Sequence, residues 1–328
     1  MEPIDMVYLW CDGSDKRFRA DKRKYMKQET KSLDVEATGE LRFFDNEELK
    51  YSLRSLEKNA SWINHVYIIT DRQCPKWLNC EYEKVTVIDH SQILQQENIP
   101  TFASLAIEYR MHLIPGLSEK FLYGNDDMFF GQEVTPEFFF YGDIPIVRVR
   151  TYSPIKMIKS LAQFEKEFTR EAMWMKTNLN TWKALNNAYK QQEFYVLHHN
   201  IDGYTKSEFT DVLKKYAAEL DVTLHSRFRN KDMLSRSLIG LDAVYCGTGA
   251  LRLVKKMNLR QKHLLWEKTD YCDSYTGSED RKTIQQIKRF NPSLFCINAS
   301  NNSTKETKLE IENFMQEMFP LPSKFEKE

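Results

Sequence analysis

The chain has 328 residues, of which 41% are hydrophobic and 29% are charged. This composition is typical of a globular protein with a large core, and it excludes a disordered chain. Lys plus Arg and Asp plus Glu both total 47. The balance argues against a nucleic-acid partner, because general binding of a polyanion needs an excess of positive charge.

No apolar run approaches the roughly 18 residues that predict a membrane-spanning helix. The acidic N-terminal residues lead directly into a predicted strand, which is not typical of a signal peptide. The six cysteines are scattered and include no CxxC pair, so we expect reduced thiols with structural roles. Together these features predict a cytoplasmic protein.

Strand and helix signals alternate through the first 150 residues. β-rich apolar runs predict strands at residues 4–10, 65–70, 84–88 and 120–123. Amphipathic spacing predicts helices over residues 45–58 and 101–113, with Asp45 and Glu48 as the capping box of the first. The alternation indicates an α/β fold that is Rossmann-like, with a mostly parallel sheet and helices on both faces.

From about residue 151 the pattern changes. Lys, Glu, Phe, Trp and Met at helical spacing over residues 157–190 predict a helical insertion or cap. Further helices are predicted at residues 209–220, 232–238, 251–257 and 306–318. We therefore divide the chain into an α/β core at 1–150, a helical insertion at 151–195 and a remaining segment at 196–328.

The four predicted strands end on acidic or amide residues, which are Asp12, Asp71, Asp89 and the run Asn125-Asp126-Asp127. In an open α/β sheet, ligands bind beyond the carboxyl ends of the strands. An Asp after a strand also occurs in turns and helix caps, so no single one requires a ligand. The four together favour a site, and the adjacent carboxylates of Asp126 and Asp127 suit Mg²⁺.

A second group of candidates combines histidine with arginine. His198 and His199 offer a general base, and Arg227 and Arg229 offer planar donors for phosphate oxygens. With the acidic run they supply the metal, base and phosphate clamp that phosphoryl transfer requires. A loop pair of histidines and a solvated surface strand at residues 227–229 remain alternatives. A zinc site is disfavoured, because no second histidine follows at helical spacing and no CxxC accompanies the pair.

Arg42 and Arg54 flank the start of the predicted helix at residues 45–58. A helix N-terminus can receive an anion, which makes both arginines candidates for substrate binding. The alternative is that this segment is simply an amphipathic helix on the surface, in which case it needs no function.

These residues resemble those of the Stealth family of sugar-phosphate transferases. That family includes bacterial capsular and cell-wall polysaccharide phosphotransferases and the animal lysosomal-enzyme GlcNAc-1-phosphotransferase, and four conserved regions define it. Residues 4–15, IDMVYLWCDGSD, resemble the first region. Residues 42–131 resemble the second, with DNEELKYSLRS at 45–55 and YGNDD at 123–127. This match is long, and it is more specific than any single short motif.

The third and fourth regions are matched more loosely. His198 or His199, Lys206 and Arg227-Phe228-Arg229 with Asp232 resemble the third, and the spacing slightly favours His199. FCIN at 295–298 and FPLPSKFE at 319–326 resemble the fourth. This chain has Ala299 where the family usually has Asp, so that role is vacant here or filled by a neighbour.

The resemblance implies transfer of a hexose-1-phosphate, such as N-acetylhexosamine-1-phosphate, from a UDP-sugar to a glycan hydroxyl, with release of UMP. The acceptor would be a polysaccharide or lipid-linked glycan in capsular or cell-surface polysaccharide synthesis. Residues 1–150 would bind the nucleotide sugar. The resemblance also implies peripheral association with membrane polysaccharide assembly machinery at the inner face of the membrane.

The same resemblance assigns roles to individual residues. Mg²⁺ or Mn²⁺ would be held by Asp126 and Asp127, with Asp127, Arg229 and His199 catalytic and His199 as the base. The expected substrate-binding residues are Asp12, Arg42, Asn46, Arg54, Asp71, Asn125, His198, Arg227 and Asn298. Two alternatives stay open: a glycosyltransferase that releases UDP, and a catalytically inactive glycan- or nucleotide-binding protein.

Overall fold

The structure is a computed structural model that describes residues 2–28, 47–153, 155, 157–159, 170–190, 193–254, 274–298 and 304–327. Four residues to which the sequence assigns significance, Arg42, Asp45, Asn46 and Ala299, lie outside the described residues. In the described part of the chain, no helix is both long enough and apolar enough to span a membrane.

The described strands are β1 (Ile4–Leu9), β2 (Val66–Thr70), β3 (Val85–Asp89), β4 (Lys120–Asn125), β5 (Met128–Phe130), β6 (Phe140–Tyr141), β7 (Ile144–Tyr152), β8 (Phe194–Leu197), β9 (Asp202–Thr205), β10 (Ala250–Leu253), β11 (Ser274–Ser278) and β12 (Leu294–Asn298). The described α-helices are α1 (Lys16–Gln28), α2 (Glu48–Asn59), α3 (Ser104–Glu108), α4 (Arg170–Tyr189), α5 (Lys206–Lys215), α6 (Ala217–His225), α7 (Ser237–Cys246), α8 (Arg281–Phe290) and α9 (Lys305–Met318).

The first sheet has the strand order β3-β2-β1-β4-β9. Strands β1 to β4 are the four that the sequence predicts, and they run parallel to one another. Strand β9 pairs antiparallel with β4 at the edge. Because the four parallel strands point the same way, their acidic ends meet at one edge of the sheet.

Both faces of this sheet are buried, as expected for parallel strands. Alternate side chains point into two separate cores, Val7 and Phe121 into one and Met6 and Leu122 into the other. Helix α2 packs on the face of Met6, while α5 and α7 pack on the face of Val7. The predicted Rossmann-like α/β class, with a mostly parallel sheet and helices on both faces, is confirmed.

Two smaller sheets extend the fold. One has the order β10-β7-β6, with β8 also paired to β7, and the other has the order β11-β12-β5. In the latter, β12 runs antiparallel to β5, and Cys296 lies opposite Met128. This pairing brings the C-terminal part of the chain beside the acidic run that follows β4.

Several predicted boundaries are wrong. Residues 251–257 do not begin a helix, because residues 250–253 form β10, parallel to β7. The helix predicted at 101–113 is broken into α3 and a 3-10 turn at Met111–Leu113. The helix predicted at 209–220 is two helices that meet at Tyr216, and the one predicted at 232–238 begins only at Ser237.

Helix α2 begins at Glu48, and its N-cap is Glu47 rather than the predicted Asp45. Glu47 has a φ of 63° and makes no side-chain capping bond. The helix is also not a surface helix, because its residues from Leu49 to Leu56 are mostly buried. The polar residues of α2, such as Ser52 and Arg54, give its sequence an amphipathic pattern. They do not face solvent, because they bond to polar partners inside the protein.

Candidate active site

The carboxyl ends of β1 and β2 are joined by a side-chain amide. The Asp12 N–H donates to Gln73 Oε1 at 2.9 Å, and Gln73 Nε2 donates back to the Asp12 carbonyl at 2.9 Å. The Asp12 carboxylate accepts from the Ser14 N–H at 2.7 Å, which is turn chemistry. Asp12 therefore shapes the loop at the sheet edge while remaining partly exposed.

The ends of β2 and β3 carry a network of charged groups. Arg72 Nε donates to the buried Asp71 carboxylate at 2.9 Å, and the Arg72 N–H donates to Asp89 Oδ2 at 2.7 Å. Asp89 also caps the 3-10 turn at His90–Gln92. Burial lowers the pKa of His90 to about 4, although Asp71 and Asp89 oppose this. Asp89 thus acts as a cap, as its position after a strand suggested.

The acidic run forms the turn between β4 and β5. The Tyr123 hydroxyl donates to Asn125 Oδ1 at 2.8 Å, which orients the amide at the strand end. Asp126 and Asp127 are both partly exposed. The Asp127 carbonyl accepts from the Ile297 N–H at 3.1 Å, so β12 fixes the backbone of this turn.

The two adjacent histidines lie in different environments. His198 is 1% exposed, and its Nε2 lies 2.8 Å from a nitrogen of the Arg150 guanidinium. Burial, and then the charges of Arg150, His199 and Arg148, lower the pKa of His198 well below its usual value. His199 is exposed, and its carbonyl accepts from the Thr276 hydroxyl at 2.7 Å.

Tertiary structure brings His199 to Asp127. One donor atom from each of Asp127, His199 and Cys296 lies within 4.8 Å of the other two. The three come from the β4–β5 turn, the connection between β8 and β9, and strand β12. Asp126, the other predicted metal ligand, is not a member of this group.

Arg227 and Arg229 lie in a loop rather than in the surface strand considered as an alternative. Phe228 between them is 3% exposed and stacks on Phe102 with ring centroids 5.0 Å apart. The guanidinium of Arg229 donates to Ser104 Oγ at 2.6 Å. Ser104 is the first residue of α3, which follows β3 in the chain.

Arg227 is bound to protein carbonyls. Its two terminal nitrogens donate to Pro100 O and Glu97 O, both at 2.7 Å, and its guanidinium lies over the Tyr25 ring. These contacts hold the loop against residues 97–104. They leave fewer donors for a phosphate than the sequence alone suggested.

Arg54 points into the protein. Its guanidinium forms a two-pronged pair with the Glu326 carboxylate at 2.8 and 2.7 Å and donates to Phe319 O at 3.0 Å. Both charged side chains are 7% exposed. Arg54 is thus not brought to the acidic run, because Glu326, from a distant part of the chain, takes up its donors.

Sequence reasoning missed a buried ionic cluster around Arg236. Arg236 lies 3.0 Å from Asp202 and 3.4 Å from Glu108, and its guanidinium sits 4.3 Å from the centre of the Tyr123 ring. Burial raises the pKa of Asp202 to about 6, against the opposing charge of Arg236. No local motif marks these residues, since each comes from a different element.

Two residues nearer the histidines were also missed. Cys296 was set aside with the other cysteines, although it lies two residues before Asn298, a predicted site residue. Arg150 lies on β7 in a segment without a recognisable motif. Asn298 itself ends β12, where its carbonyl accepts from the Glu279 N–H at 2.9 Å.

Family models match the first half of the chain. Residues 2–30 match "Stealth protein CR1, conserved region 1", and residues 42–145 match "Stealth protein CR2, conserved region 2". An exopolysaccharide phosphotransferase of Lactiplantibacillus plantarum is 30% identical, with 99% of this chain and 96% of the relative covered. This chain belongs to the Stealth family.

Other relatives are longer. An exopolysaccharide phosphotransferase of Streptomyces coelicolor is 31% identical over 99% of this chain and 52% of its own length. The capsular polysaccharide phosphotransferase SacB of Neisseria meningitidis serogroup A is 29% identical over 99% and 57%. The chain therefore spans little more than half the length of these two curated relatives.

Among solved structures, apo mouse xyloside xylosyltransferase 1 aligns with 92% of this Stealth chain and 98% of its own. The TM-score is 0.38 and the sequence identity is 9%. These values are too low to indicate a shared fold, so the assignment to the Stealth family depends on the sequence relatives.

Proposed function

We propose that this chain transfers a hexose-1-phosphate from a UDP-sugar to a hydroxyl of a polysaccharide or lipid-linked glycan, with release of UMP. The relatives that support this proposal are named as capsular or exopolysaccharide phosphotransferases. The observation that carries it is the convergence of Asp127 with His199 beside the edge where the parallel strands end. A carboxylate and an imidazole at one position supply the groups that activation of a hydroxyl beside a phosphate requires.

In the proposed reaction, the acceptor oxygen attacks the phosphorus that is bonded to the sugar. The bond between that phosphorus and the bridging oxygen of UMP breaks, while the anomeric bond of the sugar stays intact. The hydroxyl proton passes to His199, whose exposed side chain an acceptor can reach. The product is a phosphodiester between the sugar and the glycan.

Charge on the diphosphate would be offset from two sides. Asp126 and Asp127 are partly exposed carboxylates on one turn, so their oxygens fit Mg²⁺ or Mn²⁺, which would neutralise phosphate charge when bound. We assign Arg229 to the transferring phosphoryl oxygens. Arg150, which lies against His198, adds positive charge beside the histidine pair.

Asp12, Asp71, Asn125 and Asn298 remain our proposed substrate-binding residues. The last three lie at the end of a strand or directly after one, and Asp12 lies three residues after the end of β1. His198 is proposed to act through Arg150 rather than by direct contact. The donors of Arg54 and Arg227 are bound to protein groups, which indicates structural roles for both. We keep residues 1–150 as the donor-binding part, 151–195 as a cap and 196–328 as the remainder, with peripheral association at the membrane.

The test is to incubate the purified chain with Mg²⁺, a panel of UDP-sugars and a glycan acceptor, and to identify the released nucleotide by mass. We expect UMP, and we expect EDTA to abolish its release. Release of UDP would instead indicate a glycosyltransferase. Binding of UDP-sugar without any released nucleotide would indicate an inactive binding protein.

Substitutions at Asp127 and His199 test whether the nucleotide is released by chemistry at this site. His199→Ala and Asp127→Ala should each lower the rate by about 100-fold or more, the range for loss of an acid–base or electrostatic group. Asp221→Ala is the control, because the Asp221 side chain is 71% exposed on the surface of α6. Full activity in a folded Asp127→Ala or His199→Ala protein would exclude the role proposed for that residue.

A further inference from the structure

We propose that Asp127, His199 and Cys296 form an inhibitory binding site for a thiophilic divalent cation, of which Zn²⁺ is the example. The inhibition rests on the proposed function, since it requires that Asp127 and His199 take part in transfer. The binding does not, because a metal can be titrated into the protein without any turnover. Of the three proposed ligands, Cys296 takes no part in the proposed reaction.

The three donor atoms already lie within 4.8 Å of one another. Donors around one zinc ion lie about 2.0–2.3 Å from the metal, so they must approach one another by about 1 Å more to share it. The exposed imidazole of His199 can make that movement by rotation. Cys296 is fully buried and supplies the fixed side of the site.

Hydrogen bonds hold the three segments together. Thr276 lies directly opposite Cys296 in the pairing of β11 with β12, and its hydroxyl donates to the His199 carbonyl at 2.7 Å. On the other side of β12, the Ile297 N–H donates to the Asp127 carbonyl at 3.1 Å. The paired strands β11 and β12 therefore hold the three segments close together before a metal arrives.

The donor set selects the kind of metal. One carboxylate oxygen, one imidazole nitrogen and one thiol sulfur suit Zn²⁺ and Co²⁺, whereas Mg²⁺ prefers oxygen ligands throughout. On binding, the thiol of Cys296 loses its proton to solvent and coordinates as the thiolate. Three protein ligands leave a fourth position open for water or a phosphate oxygen.

Occupation of this site would stop transfer through two groups at once. The metal would take the imidazole nitrogen of His199 that accepts the hydroxyl proton, and it would take the carboxylate of Asp127. The sequence disfavoured zinc because it offered neither helical His spacing nor CxxC. The ligands instead come from three distant segments, a combination that no local spacing rule detects.

The experiment is a titration of the metal-free full chain with Zn²⁺ against a chromophoric chelator, and with Co²⁺ in a spectrophotometer. We expect one high-affinity Zn²⁺ per chain and a near-ultraviolet thiolate-to-cobalt band. Cys296→Ala should abolish the band and weaken Zn²⁺ binding by about 100-fold or more, since loss of an outer-shell partner alone costs about 10–100-fold. Cys246→Ser, at an exposed cysteine on α7, is the matched control.

His199→Asn is the second variant, because a change at an exposed side chain leaves the core intact if Cys296→Ala fails to fold. It should weaken Zn²⁺ binding to a similar degree. No bound Zn²⁺, or binding unchanged in the folded variants, would overturn the site. If Zn²⁺ binds as expected but no nucleotide is released from any UDP-sugar, the proposed function fails while the metal site stands.

Discussion

Arg54 and Glu326 show how burial decides the role of a single charged residue. The pair is two-pronged and both side chains are 7% exposed. Glu326 also accepts from the Ser323 N–H at 2.7 Å. A buried charge with these partners is stable as long as both members are present, and removal of one leaves the other charge buried alone.

Arg54→Met should therefore lower the free energy of unfolding by about 3–5 kcal/mol. The double variant Arg54→Met/Glu326→Gln should lose less than the sum of its single changes, because no buried charge then remains. Urea unfolding followed by circular dichroism measures both. The control is Lys288→Met, which breaks an exposed pair with Glu317 (51% and 65% exposed) and should cost at most about 1 kcal/mol. Equal losses of stability in Arg54→Met and Lys288→Met would contradict the structural role of Arg54.

His90 predicts a pH dependence of stability. Burial lowers its folded-state pKa to about 4, below the value of about 6.5 in an unfolded chain. Protonation therefore favours the unfolded state, and this histidine lowers the free energy of unfolding by about 1.4 kcal/mol per pH unit as pH falls from about 6.5 to about 4. Above about pH 6.5 the imidazole is neutral in both the folded and the unfolded state, so this loss of stability is absent.

The difference in free energy of unfolding between wild type and His90→Asn isolates the contribution of His90, since the contributions of the other titrating groups cancel. The free energy of unfolding of wild type relative to the variant should fall steadily over that pH range. A constant difference would show that the pKa of His90 is not lowered.

Among the elements, β12 does most to assemble the site. It pairs with β11 on one side and β5 on the other, and it places Cys296 beside Asp127. Close approach of the chain at Gly131, just after β5, makes this possible. The Gly131 N–H donates to Ser293 O at 2.8 Å, and a Cβ at Gly131 would lie 2.3 Å from Pro292 O.

Gly131→Ala should therefore push the start of β12 away from β5. We expect a loss of about 1–3 kcal/mol in the free energy of unfolding, as for overpacked positions, and a lower rate of transfer. Gly142→Asn is the control, because Gly142 has a φ of 62°, which Asn tolerates, and a Cβ there meets nothing within 4 Å. Wild-type stability in Gly131→Ala would show that the two segments can separate at no cost.

At the scale of the whole molecule, the segment at residues 319–327 closes over the loop between β2 and β3. The Asn79 N–H donates to Phe325 O and the Lys327 N–H donates to Trp77 O, both at 2.8 Å. Phe325 is 3% exposed and packs edge-on against Tyr82 at 5.2 Å. This segment joins the core that lies beneath α2.

Phe325→Ala should lower the free energy of unfolding by about 3–5 kcal/mol, because it leaves a cavity in that core. Leu321→Ala is the matched control, since Leu321 is 78% exposed in the same segment and should change stability by at most about 0.5 kcal/mol. Chemical denaturation distinguishes the two. Similar effects of both changes would mean that the segment is not part of the core.

The sequence predicted the central sheet well and its surroundings less well. The runs that became β1 to β4 are apolar, and an Asp or Asn ends each run or follows it within three residues. Both signals act over a few residues. Strand β10 was mistaken for a helix because its residues alternate weakly, and pairing with β7 decides their structure. Strand β5 is only three residues long, so its partner β12 defines it more than its own composition does.

What the sequence determined by itself was the family, the α/β class, the mostly parallel direction of the strands implied by alternating elements, and the acidic run after β4. These depend on local periodicity and on contiguous motifs. Only the tertiary structure decided which histidine meets Asp127, that Cys296 joins them, and that Arg54 pairs with Glu326 in the interior. Each of these depends on contacts between residues far apart in the chain, and such contacts follow from how sheets pair and cores pack rather than from any local pattern.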